Sequence, residues 1–207
     1  MPQASYPDRF YPVADSVTWV RRLSRLGART IQLRAKDLSR EQALTLVREA
    51  LLAAGTARLV VNDYWQAAIE AKAQHLHLGQ EDLAEADVPA IRRAGLALGL
   101  STHDEAELDK ALRCDPDYVA LGPIYPTSGK VVAFAPQGLA RIAEWKKRIR
   151  SIPLVAIGGI TLERAPAVYA AGADSIAVIS DFTQARDPDA RVRAWLALPQ
   201  LPRRRVA

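Results

Sequence analysis

The sequence predicts an α/β fold, a single (β/α)8 TIM barrel domain over residues 1–207, on three observations. Eight short apolar runs recur along the chain, stretches with helical spacing follow most of them, and polar residues collect at the carboxyl end of run after run. Eight βα units are the number that closes a parallel barrel, and 207 residues lie near the short end of that fold's range. An open doubly wound sheet is the structural alternative, but VVNDYWQAAI and its neighbours lack the G-x-G-x-x-G turn between strand and helix.

The runs, in order, are RFYPVAD from Arg9, TIQLRA from Thr30, RLVVND from Arg58, HLHLGQ from His75, LALGLS from Leu96, YVALGP from Tyr118, PLVAIGG from Pro153 and SIAVIS from Ser175. Between them, SREQALTLVREALLAAG places Ala43, Leu46, Val47 and Ala50 on one helical face, and Ser39 with Gln42 forms a capping box. HDEAELDKALRCD and PQGLARIAEWKKRI read as further helices. So does TLERAPAVYAAGAD, expected to begin at Thr161 and stop at Gly172. No linker, low-complexity segment or second domain interrupts the series.

Hydrophobic residues make up 49% and charged residues 25%, close to the average for globular chains, which excludes disorder over most of the length. No stretch approaches the roughly 20 apolar residues of a membrane span, and MPQASYPD has neither the basic start nor the apolar run of a secretory signal. A soluble cytoplasmic protein is expected, frayed near residues 1–8 and 200–207. One cysteine, Cys114, excludes an internal disulfide and argues against a cysteine-based zinc site; it reads as a small buried hydrophobe. The net charge of +5 suits nucleic acid or anionic small molecules, and part of it lies in the tail PRRRVA.

Chemistry enters at the strand ends, where the βα loops of such a barrel converge. In RTIQLRAKDLS, residues Gln32, Arg34 and Lys36 are two apart, so a strand sends all three to one face while Ile31 and Leu33 occupy the other. The third run ends in Asn62 and Asp63, the fourth in His77, Gln80 and Asp82, the fifth in Ser101 and His103. The sixth ends in GPIYPTSGK, the seventh in AIGGIT, the eighth in VIS.

These residues sort into two kinds. Arg34, Lys36 and Lys130, the hydroxyls of Ser101, Thr127, Ser128 and Ser180, and the N–H groups of Gly158 and Gly159 suit a phosphate. Asp63 and Asp82, with Asn62 beside them, offer hard oxygen ligands, and one or two carboxylates plus substrate phosphates is the usual way of holding Mg²⁺. Together they suggest a diphosphate. The plainer readings are a solvated strand end for Arg34 and Lys36, a helix cap for Asp63, a loop acid for Asp82 and a tight turn for IGGI. His75 and His77 alternate along a strand, without a third ligand of matching spacing, and read as structural.

IQLRAKD, VVNDYWQAA, HLHLGQEDL, GLSTHDEAEL, YVALGPIYPT, APQGL, PLVAIGGIT and AGADSIAVIS, in that order from Phe10 to Ser180, resemble the motifs of the thiamine phosphate synthase family. The resemblance implies a transferase of thiamine biosynthesis. Such an enzyme joins hydroxymethylpyrimidine diphosphate to hydroxyethylthiazole phosphate by Mg²⁺-assisted loss of diphosphate, the pyrimidine cation being captured by the thiazole nitrogen. It implies that Arg34, Lys36, Asn62 and Lys130 hold the diphosphate, that Asp63 and Asp82 bind Mg²⁺, and that Gln32 and Ser101 lie at the pyrimidine and its leaving group. Thr127, Gly159, Ile179 and Ser180 would receive the thiazole phosphate. Arg34, Lys36, Lys130 and Ser101 would be the catalytic set, since this chemistry needs charge stabilisation more than a general base.

The chain departs from the family pattern at Ser128 and Gly129, at His75 where glycine is usual and at Ala35 where glutamate is frequent. Two rival readings remain. One is a thiazole tautomerase or another phosphate-binding isomerase on the same barrel, which would need no metal aspartates. The other is a basic protein binding nucleic acid through Arg203, Arg204, Arg205 and the KKRIR segment from Lys146; those charges lack interleaved aromatics and suit a helix C-terminus. Small phosphorylated substrates, no nucleic acid, no membrane and an undetermined oligomeric state are the expectation.

Overall fold

Alternation along each strand divides its residues between two layers, one inside a barrel and one under a ring of helices. The computed structural model describes residues 6–127 and 134–199. Its strands are β1 (Phe10–Ala14), β2 (Thr30–Leu33), β3 (Arg58–Asn62), β4 (His75–Leu78), β5 (Ala97–Thr102), β6 (Tyr118–Leu121), β7 (Leu154–Ile157) and β8 (Ser175–Val178). All pair in parallel in sequence order, and β1 also pairs with β8, so the barrel closes. Every strand begins within the run that predicts it.

The helices are α1 (Val17–Arg25), α2 (Arg40–Ala54), α3 (Trp65–Glu70), α4 (Gln80–Glu85), α5 (Val88–Arg93), α6 (Glu105–Leu112), α7 (Gly138–Ile149), α8 (Ala165–Ala170), α9 (Ser180–Thr183) and α10 (Pro188–Leu196). The Ser39–Gln42 capping box opens α2 as expected. The segment from Thr161 first makes a turn, with Ala165 N–H on the Thr161 carbonyl at 3.1 Å, and becomes helical at Ala165, where Pro166 fits the first turn. Among the described residues no helix is long and apolar enough to cross a membrane.

Outward-facing Ile31, Leu33, Leu59, Val61, Leu98, Leu100 and Ile176 pack against helix residues such as Leu23, Val47, Ile91, Leu108 and Trp145 in the larger core. The barrel interior is a second, smaller cluster of Tyr11, Val13, Val60, Tyr118, Ala120, Val155 and Ala177. Gly99 makes room for it: a Cβ there would lie 2.0 Å from Cζ of Tyr118, so the phenol ring crosses the barrel over a position that tolerates no side chain.

Residues 6–8, expected at a frayed end, are instead packed into the barrel floor. The Tyr6 ring lies 4.6 Å from the His75 ring, and the buried Asp8 carboxylate meets Arg29 at 2.8 Å, Arg58 at 3.3 Å and the Thr30 hydroxyl at 3.0 Å. An apolar ring to bury and an acid with buried partners hold this segment down. Residues 1–5 and 200–207, with Arg203, Arg204 and Arg205, lie outside the described residues. Cys114 is only half-buried, its thiol 3.6 Å from the Lys110 carbonyl. Two cations of the KKRIR segment at the end of α7 pair within the chain: Lys146 on Asp174 at 2.6 Å, Arg148 on Glu105 and Asp109.

Candidate active site

β2 ends at Leu33, three residues short of Lys36, so Gln32, Arg34 and Lys36 do not share one strand face. Gln32 alone sits within the strand and points into the barrel, buried, with its amide on the Tyr11 hydroxyl at 3.0 Å. Arg34 N–H still reaches the Ala14 carbonyl at 2.7 Å, but Lys36 belongs to the β2–α2 loop. Its long side chain brings it back, with Nζ 3.6 Å from Oδ2 of Asp63. Convergence of loops, not strand periodicity, assembles the two cations. Tyr64 buttresses that loop by accepting the Leu38 N–H at 3.1 Å.

Asp63 is not a helix cap. Tyr64 is the N-cap of α3 and no side chain caps it. Asp63 itself holds φ at +67°, a left-handed conformation uncommon outside glycine and tolerated by Asp. Asp82 stands in the first turn of α4, where the helix end favours a carboxylate, and folds back over Gly79: a Cβ on that glycine would be 3.0 Å from Asp82 Oδ2. The two acids, from the ends of adjacent strands, lie within hydrogen-bonding reach of each other. Burial, then the facing Asp82 carboxylate, pushes Asp63 up to about 6, with Lys36 and Arg34 partly offsetting the rise. Two desolvated carboxylates in contact are an arrangement that a divalent cation relieves, and their oxygens are of the kind Mg²⁺ takes. The residues present therefore fit that ion, with substrate or water completing the shell. Among the described residues no group of three or more His, Cys, Asp or Glu gathers into a self-sufficient metal cage.

Asn62 is buried as the last residue of β3, in register with His77. His77 is fully engaged: Nδ1 is 2.8 Å from the Tyr118 hydroxyl and Nε2 is 2.8 Å from Ser101 Oγ. Burial, then the charge of Arg34, holds its pKa down near 4, so the ring is neutral. Ser101, near the end of β5, faces the same mouth, and its carbonyl accepts the Gln80 side-chain amide at 2.7 Å, tying α4 to β5. His75 lies at the opposite end of β4 under Tyr6, and the two histidines share no ligand position. His103 is bound to Glu107 at 2.7 Å and stacked on Phe134.

The loops after β6 and β7 interlock. Ile124 N–H reaches the Ile157 carbonyl at 2.9 Å and Tyr125 N–H the Gly158 carbonyl at 3.0 Å. A Cβ on Gly158 would fall 2.6 Å from Pro123 Cα, and one on Gly159, whose φ is +62°, would fall 2.4 Å from the Pro126 carbonyl oxygen. The glycines thus serve a close backbone approach that sets the height of Thr127, in addition to any anion they line. Thr127 is half-buried at the end of this loop, while Ser128, Gly129 and Lys130 lie outside the described residues. Ile179, 42% exposed, precedes Ser180, which opens the short helix α9. A short extra helix after the last strand is the usual phosphate position in such barrels. Asp181 anchors it through Arg191 at 2.7 and 2.8 Å and the Trp195 indole at 2.7 Å.

Arg34, Lys36, Asp63, Asp82, Gln32, Asn62 and Ser101 are thus brought to one end of the barrel, with Thr127, Gly159, Ile179 and Ser180 on loops and a helix that follow β6, β7 and β8 at that same end. Reading the sequence did not single out Tyr11 and Tyr118, whose hydroxyls meet at 2.9 Å beneath the site. The available signal was a tyrosine at an inward position of β6, in register with Gly99 on β5.

A family profile described as thiamine monophosphate synthase matches residues 7–182. The chain is 54% identical to a thiamine-phosphate synthase of Rhizobium etli over 192 residues, covering 92% of this chain and 94% of the relative. It is 53% identical to one of Salmonella choleraesuis over 179 residues, covering 86% and 85%. A solved thiamine phosphate pyrophosphorylase from Pyrococcus furiosus superposes with a TM-score of 0.77 at 26% identity, covering 91% of this chain and 93% of that one.

Proposed function

The chain belongs to the thiamine monophosphate synthase family, which makes it a transferase forming thiamine phosphate, and we propose that its barrel mouth runs this reaction as a dissociative substitution. The substrates are hydroxymethylpyrimidine diphosphate and hydroxyethylthiazole phosphate. The bond from the pyrimidine methylene carbon to the diphosphate oxygen breaks, and the electron pair leaves with the diphosphate. The thiazole nitrogen then donates its lone pair to the methylene carbon, forming the new C–N bond. No proton has to be abstracted, which accords with the absence of an activated nucleophile among the residues gathered here.

The observation that carries the reading is the contact of Asp63 with both Asp82 and Lys36 beside Arg34. Cations and paired acids side by side suit a leaving diphosphate shared with a divalent ion. Asp63 and Asp82 would hold Mg²⁺, which when bound would neutralise charge developing on the leaving group. Arg34, Lys36 and Lys130 would grip the diphosphate, Asn62 and Ser101 would donate hydrogen bonds to it, and Gln32 would face the pyrimidine. Thr127, Gly159, Ile179 and Ser180 would seat the thiazole phosphate. Two phosphorylated substrates and a free thiol accord with a cytoplasmic reaction.

The test is release of inorganic pyrophosphate from purified protein given both substrates, with and without magnesium. Release that depends on both substrates and on magnesium is expected. Turnover of the thiazole phosphate alone, without magnesium or pyrophosphate, would instead mark an isomerase.

A further inference from the structure

Four hydrogen bonds run in series through the barrel: Gln32 Nε2 to Tyr11 Oη at 3.0 Å, Tyr11 Oη to Tyr118 Oη at 2.9 Å, Tyr118 Oη to His77 Nδ1 at 2.8 Å and His77 Nε2 to Ser101 Oγ at 2.8 Å. Every member except Ser101 is buried. We propose that this chain runs one way, from Gln32 outward, so that His77 is held as its Nε2–H tautomer and the Ser101 hydroxyl proton is left to be donated into the barrel mouth, to an anionic oxygen of the substrate. Tyr11, Tyr118 and His77 are then positioning residues, acting through Ser101. The inference deepens the proposed function and rests on it for the identity of that oxygen.

The direction follows from counting protons. The amide nitrogen of Gln32 can only donate, so Tyr11 accepts there, and the one other partner of its hydroxyl among the described residues is Tyr118; any direction but Tyr11 to Tyr118 would bury an unpaired phenol proton. Tyr118 has accepted, and its proton goes to His77 Nδ1. A ring accepting at Nδ1 carries its hydrogen on Nε2 when neutral, and neutrality follows from burial with no carboxylate hydrogen-bonded to either nitrogen. His77 therefore donates to Ser101 Oγ, and the serine proton has no acceptor within the chain. Reversed, the series would turn Ser101 inward and offer the substrate only a lone pair, which repels a diphosphate oxygen.

The geometry is built for this series. Tyr118 stacks on His77 with centroids 5.5 Å apart and 16° between planes, and the missing side chain at Gly99 admits its ring.

The chain contains three histidines, so ¹⁵N-resolved imidazole spectra of the intact wild-type enzyme are simple to assign. A bare Nδ1 and a protonated Nε2 are expected for His77; protonation at Nδ1, or at both nitrogens, overturns the proposal without any variant having to fold. In Tyr118→Phe, which keeps the ring, kcat is expected to fall roughly 10- to 100-fold with both KM values within about twofold. His77→Gln, which can still donate to Ser101, is expected to retain more activity than His77→Leu. Wild-type kcat in Tyr118→Phe, or equal losses in the two His77 variants, would equally sink it. Failure of the underlying functional reading is distinguishable, because it removes magnesium-dependent pyrophosphate release from the wild type while the tautomer is read on resting enzyme.

Discussion

Asp63 and Asp82 close on each other from the ends of neighbouring strands, Asp63 in a left-handed turn after β3 and Asp82 in the first turn of α4. Neither position is needed for capping. Both acids are partly desolvated, and their mutual repulsion opposes folding of the metal-free chain.

Replacing Asp82 by alanine is therefore expected to abolish magnesium-dependent pyrophosphate release, by at least about 100-fold, without destabilising the fold. Thermal melts of the metal-free variant should match or exceed the wild type, because a like charge has gone from beside Asp63. Full activity in Asp82→Ala would remove it from the site.

The loop after β6 is held at its height by a backbone contact that only glycine permits. Gly159→Ala introduces a Cβ against the Pro126 carbonyl oxygen at a residue with φ of +62°. Displacement of Thr127 is expected to raise KM for the thiazole phosphate on the order of 10-fold, with a smaller effect on the pyrimidine substrate. Steady-state kinetics with each substrate varied in turn will read the difference.

At the barrel floor, Asp8→Ala leaves Arg58 and Thr30 without their buried partner. A loss of roughly 2–4 kcal/mol is expected, lowering the melting temperature on the order of 10 °C with kinetics at permissive temperature unchanged, since this end lies opposite the proposed site. An unaltered melting temperature would show that this segment is not needed to close the floor.

Stability should fall in mild acid. Burial, helped by the charge of Arg58 at His75 and of Arg34 at His77, keeps both rings neutral down to about 4, whereas the unfolded chain takes up those protons from the ordinary 6.5 downward. Between those values the unfolded state binds more protons, so the contribution is complete above pH 6.5 and is lost as pH drops toward 4. A loss on the order of 2 kcal/mol per imidazole is expected. His75→Gln should flatten the slope of denaturation midpoint against pH; an unchanged slope would show that His75 titrates normally in the folded chain.

Much of this was legible in the order of residues. Eight apolar runs became eight strands, because a period of two with turn signals between leaves little choice of local structure, and closure follows from their number. The barrel end at which these polar residues gather was legible too, because Arg34, Asn62, Asp63, Asp82 and Ser101 each close or follow an apolar run. What misled was local extrapolation. A strand assumed to continue through Lys36 ends at Leu33, and an N-terminus assumed loose is anchored by Tyr6 and Asp8 from inside the barrel.

By itself, then, the sequence determined the fold class, the strand order and the set of polar residues at the strand ends, since these depend on periodicity and on short-range turn chemistry. Tertiary structure alone decided which of those residues touch. The pairing of Asp63 with Asp82 and the reach of Lys36 depend on distances between loops far apart in sequence. So does the line of hydroxyls from Gln32 to Ser101, whose members come from β1, β2, β4, β5 and β6 and meet only once the barrel has closed.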